Sequence, residues 1–181
     1  MRYLRTSQSF DYIIDPLQMD GVRSMLCSAM PEDAPKDKEC MSQLGPLDNL
    51  LNVLRKRQPG EKYQIPIAVV VSKGDVIRDH EHSLRKSLWE QPLYHQHHGT
   101  LSYDLSLHWN VQFAVREFLM KHEPGPGIVA NIENNFQHFA YFCVAPTGCS
   151  ARNNRFARFA PWRVEEPVLW IFAKLGLIPV V

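Results

Sequence analysis

Ile65-Pro66-Ile67-Ala68-Val69-Val70-Val71, running directly into Ser72-Lys73-Gly74-Asp75, is the stretch that decides the fold. A continuous β-branched run that stops at a polar, glycine-containing turn reads as a strand covered on both faces, the habit of parallel sheets. Two further runs repeat the pattern: Phe10-Asp11-Tyr12-Ile13-Ile14 before Asp15-Pro16, and Phe139-Ala140-Tyr141-Phe142-Cys143-Val144 before Ala145-Pro146-Thr147-Gly148. Parallel strands need long crossovers, and helical periods lie between these three. Leu47, Leu50, Leu51 and Leu54 mark one helix, with Arg55-Lys56-Arg57 in its last turn and Pro59-Gly60 beyond it. Asp79 to Trp89 offers Leu84, Ser87 and Leu88 on one side. Leu101 to His122 carries a longer period through Leu105, Trp109, Phe113, Val115, Phe118 and Leu119, stopped at Pro124-Gly125-Pro126-Gly127.

Further along, Ile128 to Phe136 reads as a short helix, and Glu165-Glu166-Pro167 opens a last one, with proline in the first turn and acids at the positive end. Val168, Leu169, Ile171, Phe172 and Leu175 are its expected buried side and Gly176 its stop. Met25 to Leu44, polar and without a period, reads as a surface loop. Residues 1–181 therefore predict a single α/β domain with three parallel strands. Such sheets gather ligand-binding groups at the carboxyl ends of their strands, where Asp15, Ser72 to Asp75 and Ala145 to Gly148 would meet.

Composition narrows the function classes. The chain has 45% apolar and 22% charged residues, as a folded globular domain does, and 20 Lys+Arg against 19 Asp+Glu leave a formal charge of +1. No global field recruits nucleic acid or an anionic membrane. The longest apolar runs fall short of the ~20 residues of a spanning helix, and the first residues lack the apolar core of a secretory signal. A cytoplasmic protein with no membrane partner is expected. Cys27, Cys40, Cys143 and Cys149 lack Cys-x-x-Cys spacing and read as reduced thiols.

The turn Ser72-Lys73-Gly74-Asp75 matches the pattern Asn/Thr/Ser-Lys-x-Asp at the end of a buried strand, a base-recognition motif. Its chemistry follows from donor and acceptor counts: one carboxylate accepts two parallel hydrogen bonds from guanine N1–H and the 2-amino group, and adenine has no such donor pair. Asp75 would select guanine, the stem of Lys73 would lie along the purine, and Ser72 would fix the loop through backbone hydrogen bonds. The bland reading is a set of turn and cap residues after a strand.

With Val144-Ala145-Pro146-Thr147-Gly148 standing where GTPases carry a second base-contacting loop, the chain resembles the C-terminal half of a TRAFAC-type GTPase domain. It is most similar to the double-GTPase domains of bacterial conflict systems, which share Asp15-Pro16-Leu17 at an earlier strand end and the run Pro161-Trp162-Arg163-Val164-Glu165-Glu166-Pro167-Val168-Leu169-Trp170. The resemblance implies a partial P-loop NTPase-like three-layer sandwich, a small, mainly parallel sheet flanked by helices. It also implies GTP or GDP as cofactor and nucleotide contacts from Ser72, Lys73, Asp75, Ala145, Pro146, Thr147 and Gly148. Pro146 has no N–H to offer guanine O6, so Thr147 or Gly148 would have to supply that donor. No Gly-x-x-x-x-Gly-Lys-Ser/Thr stretch occurs in the sequence, and the switch and magnesium loops would lie ahead of residue 1. Magnesium and GTP hydrolysis by this chain alone are therefore not expected. The expectation is a regulatory or interaction module, with another protein chain or a self-dimer covering the sheet edge left by the missing strands.

Two other features invite a function. His80, His82, His95, His97 and His98 are histidine-rich, and His95 and His98 would share one side of a helix, but cysteine or acidic partners at metal spacing are missing, so a solvated polar segment is the reading. Asp15 before Pro16 reads as a turn or cap residue. The stretch from Arg152 through Arg155, Phe156, Arg158, Phe159 and Trp162 to Arg163 interleaves guanidinium groups with rings, as phosphate- or nucleic-acid-contacting surfaces do, with Arg152, Arg155 and Arg158 the contact candidates. The near-neutral chain favours a loop of solvated arginines with anchoring aromatics, so nucleic acid is the lesser partner. No catalytic residues emerge: paired carboxylates, a Ser/His/Asp order and a nucleophile elbow are all missing.

Overall fold

In the computed structural model the described residues are 7–29, 43–56, 61–78, 81, 84, 91–149 and 158–181. Three strands, β1 (Phe10–Ile14), β2 (Ile67–Val71) and β5 (Phe139–Cys143), form one all-parallel sheet in that order. These are the three runs the sequence singles out. Every residue of β2 is buried, because a central strand is covered on both faces. A separate antiparallel pair joins β3 (Tyr94–His97) to β4 (Thr100–Tyr103). The fold is thus α/β, a small parallel sheet and an antiparallel pair flanked by helices.

Adjacent residues of β5 identify the two layers. Tyr141 donates to Glu133 of α5 (Gly125–Asn135), while the next residue, Phe142, packs its ring on Trp170 of α6 (Glu166–Lys174) at 6.1 Å between centroids. Side chains alternate across a strand, so α5 and α6 lie on opposite faces. On the α5 side, α2 (Leu44–Arg55) buries Leu47, Leu51 and Leu54 as its leucine spacing predicts. Residues Ile13, Val70 and Phe142 form one row across the α6 face. Phe142 and Val70 are buried there, but Ile13, on the edge strand, is 66% exposed. The predicted two-sided burial thus holds for β2 and fails for β1.

Several expectations are corrected. Residues 25–29, read as loop, close helix α1 (Asp20–Ala29), whose Val22 and Leu26 are buried one turn apart. The rest of that predicted loop up to residue 42 lies outside the described residues, as do Arg57, Pro59, Gly60 and most of the proposed helix from Asp79 to Trp89. Leu101 to His122 is not one helix. It is strand β4 followed by α4 (Leu105–Lys121), and the switch comes at Asp104, whose carboxylate accepts from Ser106 N and Leu107 N at 2.9 and 3.0 Å. The breaker at Pro124-Gly125-Pro126-Gly127 does end α4, yet α5 starts inside it at Gly125, since proline in a first turn forfeits no helical bond.

Histidines 95 and 98 do not share a helix face. His95 and His97 sit in β3, while His98 (φ 50°) and Gly99 (φ 82°) make a two-residue turn whose paired left-handed residues suit a twisted hairpin. The last helix begins and stops where the sequence indicates, with Gly176 at φ 72° beyond it. Its buried side differs, being Pro167, Trp170, Ile171 and Ala173, whereas Val168, Phe172 and Leu175 are exposed. Beyond α6 the chain runs beside the hairpin: Tyr103 N donates to Pro179 O and Val181 N to Tyr103 O, both at 2.9 Å. No described helix is long and apolar enough to cross a membrane.

Candidate functional site

The carboxyl ends of β1, β2 and β5 face one another across a ledge built around residues 72–75. Ser72 leaves β2 with its backbone N–H and its hydroxyl both donating to Ile14 O, each at 2.9 Å. Lys73 then takes a left-handed conformation (φ 54°), a conformation that disfavours a side chain, and its ammonium reaches Asp15 Oδ2 at 2.6 Å. Gly74 N donates to Val144 O at 2.8 Å. The turn is therefore tied to β1 on one side and to β5 on the other.

Each residue type has a local reason. Gly74 is buried, and a Cβ there would stand 2.8 Å from Cys143 Sγ, 3.2 Å from Val144 O and 3.3 Å from the Trp162 ring, so only glycine fits. Asp75 occupies the first turn of the four-residue helix α3 (Gly74–Ile77) and is half-buried. Burial pushes the Cys143 thiol up to about 12, with Arg163 opposing the rise and the Asp75 charge adding a smaller push. Asp15 serves twice, since Oδ1 accepts from Leu17 N at 3.0 Å and starts the 3-10 turn Pro16–Gln18, while Oδ2 takes the lysine. The cap role was legible from Asp-Pro. The pairing with Lys73, 58 residues away, carried no local signal.

The second loop, Ala145 to Gly148, stands next to this turn but is engaged elsewhere. Ala145 and Trp162 exchange both backbone hydrogen bonds, at 3.0 and 2.9 Å, and Ala160 N donates to Thr147 O at 3.0 Å. Thr147 Oγ1 donates to Cys149 O, and Cys149 Sγ to Arg158 O. Gly148 (φ 72°) lies so close to the Ala160 carbonyl that no side chain could be inserted. Pro146 is exposed and without an N–H. The structure thus brings Ser72, Lys73, Asp75 and the Ala145–Gly148 loop to one end of the sheet. Arg152 and Arg155 lie outside the described residues; Arg158 is exposed.

Trp162 and the residues after it form a feature the sequence reading missed. Arg163, in a left-handed conformation (φ 55°), places its guanidinium 5.4 Å from the Trp162 ring centroid, 2.9 Å from Glu166 Oε2 and 2.6 Å from Gln91 O. Glu166 Oε1 accepts from Leu93 N at 3.1 Å. Burial raises the Glu166 carboxyl from 4.5 to about 7, against the opposing pull of Arg163. The pair underlies an open cavity of about 280 Å³ lined by Tyr94, Trp162 and Glu165 among others. Arg163 and Glu166 stand three apart, which was the available signal; the sequence reading assigned Glu166 to the helix end instead. The His108 imidazole is pushed down to about 4, chiefly by burial, and its Nδ1 and Nε2 share hydrogen bonds with the Tyr103 hydroxyl and Gln112 Oε1 at 2.9 and 3.0 Å.

Among the described residues no three His, Cys, Asp or Glu side chains converge as metal ligands. Cys27, Cys143 and Cys149 are free thiols. Comparison with protein-family models, with curated proteins and with solved structures found no match to this chain.

Proposed function

We propose that the carboxyl edge of the sheet is a guanine-reading surface on a non-hydrolysing module. Asp75 supplies the paired acceptor for the base, and Lys73 and Ser72 hold the turn that presents it. The observation that carries this reading is the double anchoring of one turn. Ser72 and Lys73 bond to the end of β1 and Gly74 to the end of β5, so the Ser72–Asp75 turn is fixed before any ligand arrives. Pre-organisation of this kind lowers the ordering cost of binding. Lys73 and Asp15 remain 43% and 30% exposed at the side chain, within reach of a ligand on the ledge. The finer proposal, that the domain is the base-recognition half of a TRAFAC-type GTPase fold of the conflict-system kind, rests on the same motif and on three parallel strands in chain order.

The sequence contains no glycine-rich phosphate loop, so this chain alone is proposed to bind GDP or GTP without turnover and without magnesium. A thermal-shift series tests the binding. GDP should raise Tm in a concentration-dependent way and ADP should not, and Asp75→Ala should lose the GDP effect. Equal shifts with GDP and ADP would refute base reading.

A second reading is favoured by one observation: Phe159 is 70% exposed directly after the exposed Arg158. An exposed ring and an exposed guanidinium in one segment suit a protein- or RNA-binding module working through residues 152–163 without nucleotide. Salt-dependent RNA binding that Arg155→Ala and Arg158→Ala abolish would support it.

A further inference from the structure

Helix α4 has two unlike faces. His108, Val111, Ala114, Val115, Phe118 and Leu119 are buried against the sheet and α5. On the opposite side Trp109, Phe113 and Met120 are 65%, 63% and 45% exposed. At about 100° per residue, positions 109, 113, 116 and 120 fall within about 60° of arc, one stripe running the length of the helix. Aromatic residues exposed to this degree on one stripe are unusual on a monomer surface. The sequence period assigned Trp109 and Phe113 to the buried side, and the structure places them outside.

The stripe is complementary to itself. When two copies of α4 cross antiparallel about a two-fold axis between residues 114 and 115, position 109 meets 120 and position 113 meets 116, because both pairs are symmetric about that point. Trp109 then packs on the Met120 thioether of the second copy, and Phe113 stacks on the Arg116 guanidinium; each contact occurs twice. Arg116 is already fixed for this, its Nε and Nη2 bonded to Glu133 at 2.6 and 3.1 Å with the side chain 41% exposed. Gln112 meets Glu117 in the same register, so no like charges face each other. At the helix start Leu105 N donates to the carbonyl of Val181, whose side chain is 63% exposed.

We infer that α4 is a homodimerisation face, with the stripe Trp109–Phe113–Arg116–Met120 paired antiparallel to the same stripe of a second copy. Buried aromatics contribute 150–250 Å² each, so two per copy place the interface below the ~1,200 Å² of tight complexes, and the dimer is reversible. This interface lies on α4 and is independent of the nucleotide reading.

Sedimentation velocity on the full chain, from about 1 to about 300 µM, tests it across the range expected for a small interface. The wild-type chain should pass from monomer to dimer. Trp109→Lys and Met120→Glu should each remain monomeric throughout, with unchanged far-UV circular dichroism. The double variant W109K/M120E should dimerise again, because 109 and 120 face each other only in this register. A wild-type chain that stays monomeric over the whole range, or a double variant no better than either single one, overturns the inference.

Discussion

Replacing Arg163 by alanine removes one half of a charge pair whose side chains are only 5% and 2% exposed. The carboxylate of Glu166 would be left buried with a single remaining donor, Leu93 N, and the carbonyl of Gln91 would lose its guanidinium. Breaking a buried pair from one side typically costs about 3–5 kcal/mol while the surviving group stays charged; the Glu166 carboxyl, already near 7 with the cation beside it, sheds part of that cost by taking up a proton, so the full loss is expected only at alkaline pH. Arg163 also sits at φ 55°, where a side chain costs about 1 kcal/mol relative to glycine. Arg163→Gly should therefore be less destabilising than Arg163→Ala by about 1 kcal/mol, reversing the usual order of the two residues. Urea unfolding, with midpoints converted through a common slope, measures both. At about pH 9, an alanine variant within about 1 kcal/mol of wild type refutes the reasoning, as does a glycine variant less stable than the alanine one. A pH series adds a sign. The folded-state carboxyl of Glu166 is raised from 4.5 to about 7, so the native state binds its proton more tightly than the unfolded chain. Stability should fall as pH rises through that interval, and more steeply in Arg163→Ala, where the opposing cation is gone.

Other expectations concern the caps and the ledge. Asp104 is depressed from 3.8 to about 2, mainly by its hydrogen bond from Leu107 N and then by His95, so its stabilisation is complete above pH 4 and lost as pH falls through about 2. Asp104→Ala should cost about 1–2 kcal/mol at pH 7, and the gap to wild type in thermal melts should narrow over that acid range. Gly148→Ala should destabilise by more than about 2 kcal/mol, because the added methyl meets the Ala160 carbonyl and φ is 72°. Lys73→Gly separates fold from function: the ion pair with Asp15 is part-exposed and worth under about 1 kcal/mol, and relief at φ 54° offsets it. Its melting temperature should stay near wild type while GDP affinity falls at least tenfold.

The parallel sheet was legible because its three runs are rich in β-branched or aromatic residues and each is closed by a turn containing glycine or proline. Leu47, Leu51 and Leu54 were legible for the same reason in helical period. Errors came where tertiary packing chose among equivalent periods. Trp109 and Phe113 fit an apolar stripe as well as Val111 and Val115 do, and only the position of β5 decides which stripe is inside. Leu101 to Tyr103 was absorbed into a helix because Leu101 and Leu105 are four apart, whereas the Asp104 cap after a His98-Gly99 turn is the signal that cuts it. At the ledge, the local motif at residues 72–75 was visible, but the partners that fix it, Asp15 and Val144, are reached only through the crossovers. Arg163 and Glu166 were visible as an i,i+3 pair and their burial was not, since burial depends on the hairpin segment beginning at Gln91.

The most direct test of the guanine-reading claim is calorimetric titration of the chain with GDP and with ADP, alongside the Asp75→Ala variant. Two charge-assisted hydrogen bonds separate the bases, so GDP should bind at least tenfold more tightly than ADP, and the preference should vanish in the variant. Binding that does not distinguish the two nucleotides, or a preference for GDP that survives Asp75→Ala, contradicts the account.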